Sequence, residues 1–259
     1  MVEDSLSAAA ITKDLEAHFV GKRVIYQPSL TSTMEVAKQE ARQGAAEGTV
    51  IVTDEQTAGR GRLKRAWLSP RGNLALSVIL YPSLACLSSL IMLASLAVVH
   101  SIEAVTGLKS QVKWPNDILI NNRKVSGILI ESDVQVNVVN YIIIGIGINV
   151  NLRLADFPEI LPIATSLSNE LGREVSRLSI IRYLLVEMER LYLTLSAGGS
   201  VYEEWRDNLI TLGQEVRVKT GEATYEGIAE SVARDGSLLL RSLDGRFTKI
   251  IAGDVTLRD

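Results

Sequence analysis

The pattern of apolar and polar positions changes period several times along the chain, and each change predicts an element. Residues up to about 15 suit a short helix, and KRVIYQP, residues 22–28, suits a strand ending at Pro28. SLTSTMEVAKQEARQG, residues 29–44, suits a helix. Ser32 followed three residues later by Glu35 is a capping-box pattern, and Gly44 suits the position just past the end. TVIVTDE, residues 49–55, is a β-branched run and predicts a buried strand, and NLALSVILYP, residues 73–82, predicts another strand. The apolar stretch Leu84 to Val99 predicts a buried helix. It is shorter than the roughly 20 residues of a membrane span and is interrupted by serines.

QVKWPNDILINNRKVSGILIES, residues 111–132, predicts two strands joined at an Asn121-Asn122 turn, and residues 136–151 a long strand. The apolar strand at 136–148 is either the edge through which a homodimer pairs or an interior strand of the chain's own sheet. Residues 152–166, with Pro158 and Pro162, predict an irregular loop, and residues 177–208 predict helices broken near Ala197–Ser200. After Gly213 short alternating strands take over. Turn signals at Thr220-Gly221, Asp235-Gly236 and Asp244-Gly245 predict a small barrel of about 45 residues. The boundary falls near residue 211, which gives two units, 1–211 and 212–259.

Composition narrows the class. The chain has 259 residues, 47% of them hydrophobic and 22% charged, as in an ordinary globular protein. The first residues carry acid where a signal peptide carries base. A single cysteine, Cys86, can form neither an intrachain disulfide nor a thiolate metal cage, so a cytoplasmic protein is expected. A net charge of −3 argues against a broad nucleic-acid-binding face.

Against that balance, DEQTAGRGRLKRAWLSP, residues 54–70, gathers Arg60, Arg62, Lys64 and Arg65 beside Gly59 and Gly61. Arginine is a permanent cation that forks onto carboxylate or phosphate, and glycine lets backbone N–H groups turn toward an anion. A solvated surface loop is the alternative. KWPND, residues 113–117, places Lys113 and Asp117 at a strand end or in a packed turn. Lys124 leads into a strand where Gly127 permits close approach. Gly145-x-Gly147 is not a dinucleotide motif, because Val150 stands where the third glycine belongs and no helix pattern follows. Histidine occurs only as His18 and His100, which argues against a histidine triad or metal cluster. Flexible arginines and strand-end lysines without a nucleophile–base pair suit a reaction between two anions, such as a carboxylate attacking the α-phosphate of ATP.

In this order and spacing, STM (32–34), QTAGRGRLKRAW (56–67), KWPND (113–117), KVSGILIE (124–131) and GIGINVN (145–151) resemble the biotin protein ligases. The resemblance extends to the terminal barrel. It implies an α+β fold, a mixed sheet with helices related to the class II synthetases, followed by an SH3-like barrel. It implies ATP and Mg²⁺ with biotin as substrate, a biotinyl-5′-AMP intermediate with pyrophosphate released, and transfer to a lysine of a biotin carboxyl carrier domain of acetyl-CoA carboxylase or a related carboxylase. Catalytic roles fall to Lys124, Arg62 and Asp117. Contacts to biotin fall to Ser32, Thr33, Met34, Gln56, Arg60, Gly61, Arg62, Lys124 and Gly127. Contacts to the nucleotide fall to Arg60, Arg65, Trp67, Lys113, Asn116 and Asn149. No protein ligand of Mg²⁺ is assigned, since that ion favours phosphate oxygens and water.

Lys64 stands where many members of this family have glycine. Some also carry an N-terminal winged helix-turn-helix. The 31 residues before Ser32 are too few for one, so neither DNA nor a membrane is an expected partner. The nearest alternative is a lipoate or octanoate ligase or transferase, and beyond it a module that binds biotinyl-AMP without transferring it.

Overall fold

The computed structural model describes residues 5–257. After the short helix α1 (Ala8–Thr12), strand β1 (Val24–Leu30) crosses through helix α2 (Thr33–Arg42) into β2 (Val50–Gln56), which pairs with β1 in parallel. Strands β3 (Leu74–Leu80), β4 (Gln111–Lys113), β5 (Asp117–Ile120), β6 (Arg123–Gln135) and β7 (Val138–Ile148) add antiparallel pairs. Together they form a mixed sheet of order β1-β2-β3-β7-β6-β5-β4. Pro28 lies inside β1, not at its end. Because β1 is an edge strand, the missing proline N–H breaks no ladder bond. β7 runs between β3 and β6, so the interior strand is the one found for residues 136–148.

Period-two alternation explains why the central strands read as continuous apolar runs. On one face Val50, Val52, Val78, Ile142, Ile144 and Ile146 pack with helix α3 (Leu90–Thr106) and helix α5 (Arg177–Ser196) in the main core. On the other face Ile51, Ile79, Tyr141 and Ile143 pack under α2 with Met34, Ala37 and Ala41. By length and composition Leu84–Thr106 would cross a membrane. Here Leu90, Met92, Leu93 and Leu96 are fully buried against the sheet and α5. Its first six residues form a separate 3-10 segment.

Two short helices, α4 (Leu167–Leu171) and α6 (Tyr202–Asp207), flank α5. α4 lies just past a stretch expected to be irregular. Its turn forms because Ser166 caps the N–H of Asn169. The C-terminal strands β8 (Glu215–Thr220), β9 (Ala223–Val232), β10 (Leu238–Arg241), β11 (Phe247–Ile250) and β12 (Asp254–Leu257) form an antiparallel sheet of order β11-β10-β9-β8-β12. All three expected turns are present, with Gly221, Gly236 and Gly245 at positive φ. The arrangement is consistent with an SH3-like unit. Among the described strands it does not close into a hydrogen-bonded barrel, since β11 and β12 are its two ends. The second sheet is tied to the first where Trp114 donates its backbone N–H to Thr211 Oγ1 (2.9 Å) and its Nε1–H to the Gly236 carbonyl (2.8 Å).

Candidate active site

The site lies on the α2 face of the large sheet, just beyond the helix N-terminus. On that face β7 presents Tyr141 and Ile143 under α2, then Gly145 and Gly147. In register beside them β6 presents Leu129 and Gly127. Where the helix ends, the apolar side chains therefore give way to bare backbone, and a hollow remains. A Cβ on Gly145 would lie 2.5 Å from Met34 Sδ, and one on Gly147 would lie 2.4 Å from Trp67 Nε1. The two glycines thus admit Met34 as one wall and Trp67 as the roof.

The hollow is a cavity of about 130 Å³, open to a second of about 620 Å³. Each residue expected around biotin lines the smaller cavity: Ser32, Thr33, Met34, Gln56, Arg60, Gly61, Arg62, Lys124 and Gly127. Of those expected around the nucleotide, Arg65, Trp67, Lys113, Asn116 and Asn149 line the larger one, whereas Arg60 lines only the smaller. Arg65, Trp67, Asn116, Asp117, Lys124 and Asp254 are among those that belong to both. His18 and His100 line neither.

At the closed end Thr33 donates its N–H to Gln56 Oε1 (2.9 Å) and its hydroxyl accepts from Ser77 Oγ (2.8 Å). Ser32 sits at the N-cap of α2, but its hydroxyl caps nothing. It is buried without a hydrogen-bond partner, and Glu35 pairs with Arg60 and Lys38 instead of closing a capping box. Gln56, reaching over from β2, accepts from the first helix N–H, that of Thr33, and Arg60 draws the Glu35 carboxylate away from Ser32. The expected capping box is absent, and the Ser32 hydroxyl is left available to a ligand.

At the junction Lys124 Nζ is 2.6 Å from Asp117 Oδ1 and 5.4 Å from the centre of the Trp67 ring. Asp117 opens β5, where its register partners are Lys113 and Gly127. Arg62 donates to Asn116 Oδ1 (2.8 Å), and Arg65 is ion-paired with Asp254 of β12. Burial pushes the Arg62 guanidinium below its ordinary value, opposed by Asp254 and Asp117, although a guanidinium stays charged throughout. Burial also depresses Lys113, opposed by Asp117 and reinforced by Lys124. Asn149 is buried, donating to the Thr165 carbonyl (3.0 Å) and accepting from Asn73 Nδ2 at 3.5 Å. At the loop tip Leu63 and Lys64 both take left-handed φ, 53° and 60°, the conformation glycine favours at the position Lys64 holds.

Sequence reading gave Gly145 and Gly147 no role in the site: they entered as a dinucleotide motif to be rejected and as part of GIGINVN in the family resemblance. Their alternation with isoleucine was the available signal. It also missed Asp254, which reaches the site from the other sheet and sits in no motif.

Known proteins resemble this chain in sequence and fold. The chain matches the biotin/lipoate A/B protein ligase family over residues 26–149 and the biotin protein ligase C-terminal domain over residues 211–258. It is 39% identical over 258 residues to the bifunctional ligase/repressor BirA of Bacillus subtilis, spanning 97% of this chain and 79% of that one. It is 33% identical over 208 residues to the biotin–[acetyl-CoA-carboxylase] ligase of Paracoccus denitrificans, spanning 76% and 85%. The structure of the Aquifex aeolicus biotin protein ligase in complex with biotin and ATP superposes with a TM-score of 0.77 at 30% identity, covering 92% of this chain and 99% of that one. The fold is thus that of an α+β ligase with an appended β unit, and the chain belongs to the biotin/lipoate protein ligase family, on the biotin protein ligase side.

Proposed function

We propose that the chain is an ATP-dependent ligase. It joins biotin to AMP with release of pyrophosphate, then passes biotin to a lysine of a carboxyl carrier domain of acetyl-CoA carboxylase or a related carboxylase. The observation that carries this is the position of Lys124, among the described residues the one lysine that lines both cavities, where a carboxylate in the smaller one meets a phosphate in the larger. Two anions repel unless fixed cations lie between them, and such preorganised charge supplies the larger part of catalysis in phosphoryl chemistry.

In this reading Ser32, Thr33 and Gln56 hydrogen-bond the ureido end of biotin, and Met34 and Gly127 border the rings. Arg62 and Lys124 take the carboxylate and the α-phosphate. Arg65, Lys113 and Asn116 attend the nucleotide, with Trp67 packed over the junction. Asn149 serves by holding the chain around residue 165 in place. Asp117, released from Lys124 as the phosphate claims that lysine, becomes the acceptor nearest the incoming carrier lysine and orients or deprotonates it. ATP enters as its magnesium complex, the ion neutralising phosphate oxygens; among the described residues no group of three His, Cys, Asp or Glu side chains is arranged to hold a metal. Residues 1–211 form the catalytic unit and 212–259 the β unit, a division supported by the change of sheet after Thr211. A cytoplasmic location fits an ATP-consuming enzyme with one buried thiol.

The deciding experiment is biotin-dependent pyrophosphate release from Mg-ATP without carrier protein, with lipoate and octanoate in parallel. Release with biotin alone is expected. Release with lipoate alone would move the protein to the neighbouring activity, and no release with any would leave a binding module.

A further inference from the structure

Arg60 belongs to the glycine–arginine loop, yet its guanidinium is engaged by carboxylates. It pairs with Glu35 on the first turn of α2 and lies 3.9 Å from Glu131 on β6. Lys38, one turn further along α2, contacts Glu131 and stands 3.7 Å from Glu35. The four ions form a closed ring of alternating sign, Arg60–Glu35–Lys38–Glu131, in which each charge has an opposite neighbour on both sides. The ring joins three elements: the loop that roofs the small cavity, the helix whose start forms its closed end, and the strand that carries Lys124. Neither Glu35, Lys38 nor Glu131 lines either cavity.

The other two arginines differ. Arg62 is half-buried and donates to Asn116, and Arg65, which among the described residues pairs with Asp254 alone, lines both cavities. Both are placed to meet an anion. Arg60 already has two carboxylates, so an incoming phosphate would have to displace both.

We infer that Arg60 is a positioning residue. Its side chain latches the loop over the cavity through the four-ion ring, while the ligand meets only its backbone. This rests on the reading of the site as one that forms biotinyl-AMP. The loop needs such a tie because its tip, Leu63 and Lys64, is exposed and takes left-handed φ at both residues. The base of the loop is held by the Thr57 and Ala58 N–H groups, which donate to the Leu30 and Thr31 carbonyls; beyond that and the tip's own hairpin bonds, the side chains of Arg60, Arg62 and Arg65 reach other elements. When the substrate claims Arg62 and Arg65, Arg60 remains as the tie that does not depend on the ligand. An exposed pair is worth little alone. A ring of four, closing a flexible segment, adds up to a measurable change in how often the loop opens.

The test uses Glu35→Gln and Glu131→Gln, which break the ring without touching the cavity and keep a side chain of the same size. Two readouts are compared with wild type. One is tryptic cleavage of the ligand-free protein at the loop cations. The other is the rate at which preformed biotinyl-AMP escapes. Each variant should raise both rates roughly two- to fivefold, the range exposed ion pairs allow. Added salt should raise wild-type cleavage toward the variant level. Arg60→Ala should speed escape by the same factor, and combining it with Glu35→Gln should add nothing further. Unchanged cleavage and escape in both carboxylate variants would overturn the latch. So would faster escape in Arg60→Ala alone, which would make Arg60 a direct ligand. Cleavage is measured without substrate, so it decides the latch even if the wild-type protein forms no adenylate.

Discussion

Lys124 Nζ is held 2.6 Å from Asp117 Oδ1, at the boundary between the two cavities and 5.4 Å from the centre of the Trp67 ring. The pairing sets where the ammonium waits before substrates arrive, and it places a carboxylate beside it that is freed when a phosphate takes its place.

Removing that cation should abolish adenylation before it affects folding. Lys124→Ala is expected to lower the rate of biotin-dependent pyrophosphate release by roughly 10²–10³, the usual cost of losing one preorganised charge. The urea midpoint should stay near wild type, because Lys124 is partly exposed and its loss leaves Asp117 accessible to water. A near wild-type release rate would remove Lys124 from the chemistry.

The glycine floor makes a second expectation. A methyl group at Gly147 would meet three Trp67 ring atoms at 2.4–2.7 Å, and at Gly145 it would meet the thioether of Met34. Tryptophan is rigid where methionine bends, so Gly147→Ala should cost more. At about 1–3 kcal/mol for overpacking, Gly147→Ala weakens biotin binding by roughly tenfold or more, with a shift in tryptophan fluorescence. Gly145→Ala should be milder by calorimetric titration. The reverse order would show that Trp67 moves freely.

The glycine pattern also shows how much was legible in the chain. The strands and main helices follow from periodicity, and the paired glycines at 145 and 147 were visible as gaps in one face of an isoleucine run. Their purpose was not, because it depends on α2 stopping just short of them and on Trp67 arriving from another loop. Pro28 was misjudged as a strand end because sequence does not say which strands are edges. The capping-box reading of Ser32 and Glu35 failed because Arg60, remote in sequence, takes the Glu35 carboxylate, while the Ser32 hydroxyl faces the cavity. Asp254 could not be placed before the second sheet was seen to pack against the loop.

Ser32 separates stability from function. Its hydroxyl is buried, unpartnered and on the wall of the small cavity. An unsatisfied buried hydroxyl is unfavourable, so Ser32→Ala should leave the ligand-free protein equally stable or more stable by up to about 1 kcal/mol. Biotin affinity should fall at the same time. Denaturation without ligand and biotin titration, run on one preparation, check both halves. Loss of stability with unchanged affinity would assign Ser32 to the helix start after all.

A final expectation concerns pH and lies outside the site. His100 on α3 bonds carboxylates through both ring nitrogens, Nδ1 to Glu187 on α5 (2.6 Å) and Nε2 to Glu204 on α6 (2.8 Å). The bond to Glu187 raises the imidazole above its ordinary 6.5, against burial, and the charge of Glu187 and Glu204 adds to the rise. Burial alone would raise Glu187, but bonds from Arg190 and His100 bring it down to about 2 from 4.5. The signs differ. The raised histidine stabilises the fold fully below about pH 6.5, and that part fades as pH climbs through its folded value. The lowered glutamate contributes fully above about pH 4.5, and that part fades as pH falls toward 2. Both are present between about pH 4.5 and 6.5, so His100→Gln should cost most stability in that window and progressively less in alkaline buffer. Urea midpoints of wild type and variant at pH 6 and pH 9 measure the difference, and an equal gap at both would mean that His100 is neutral in the folded protein.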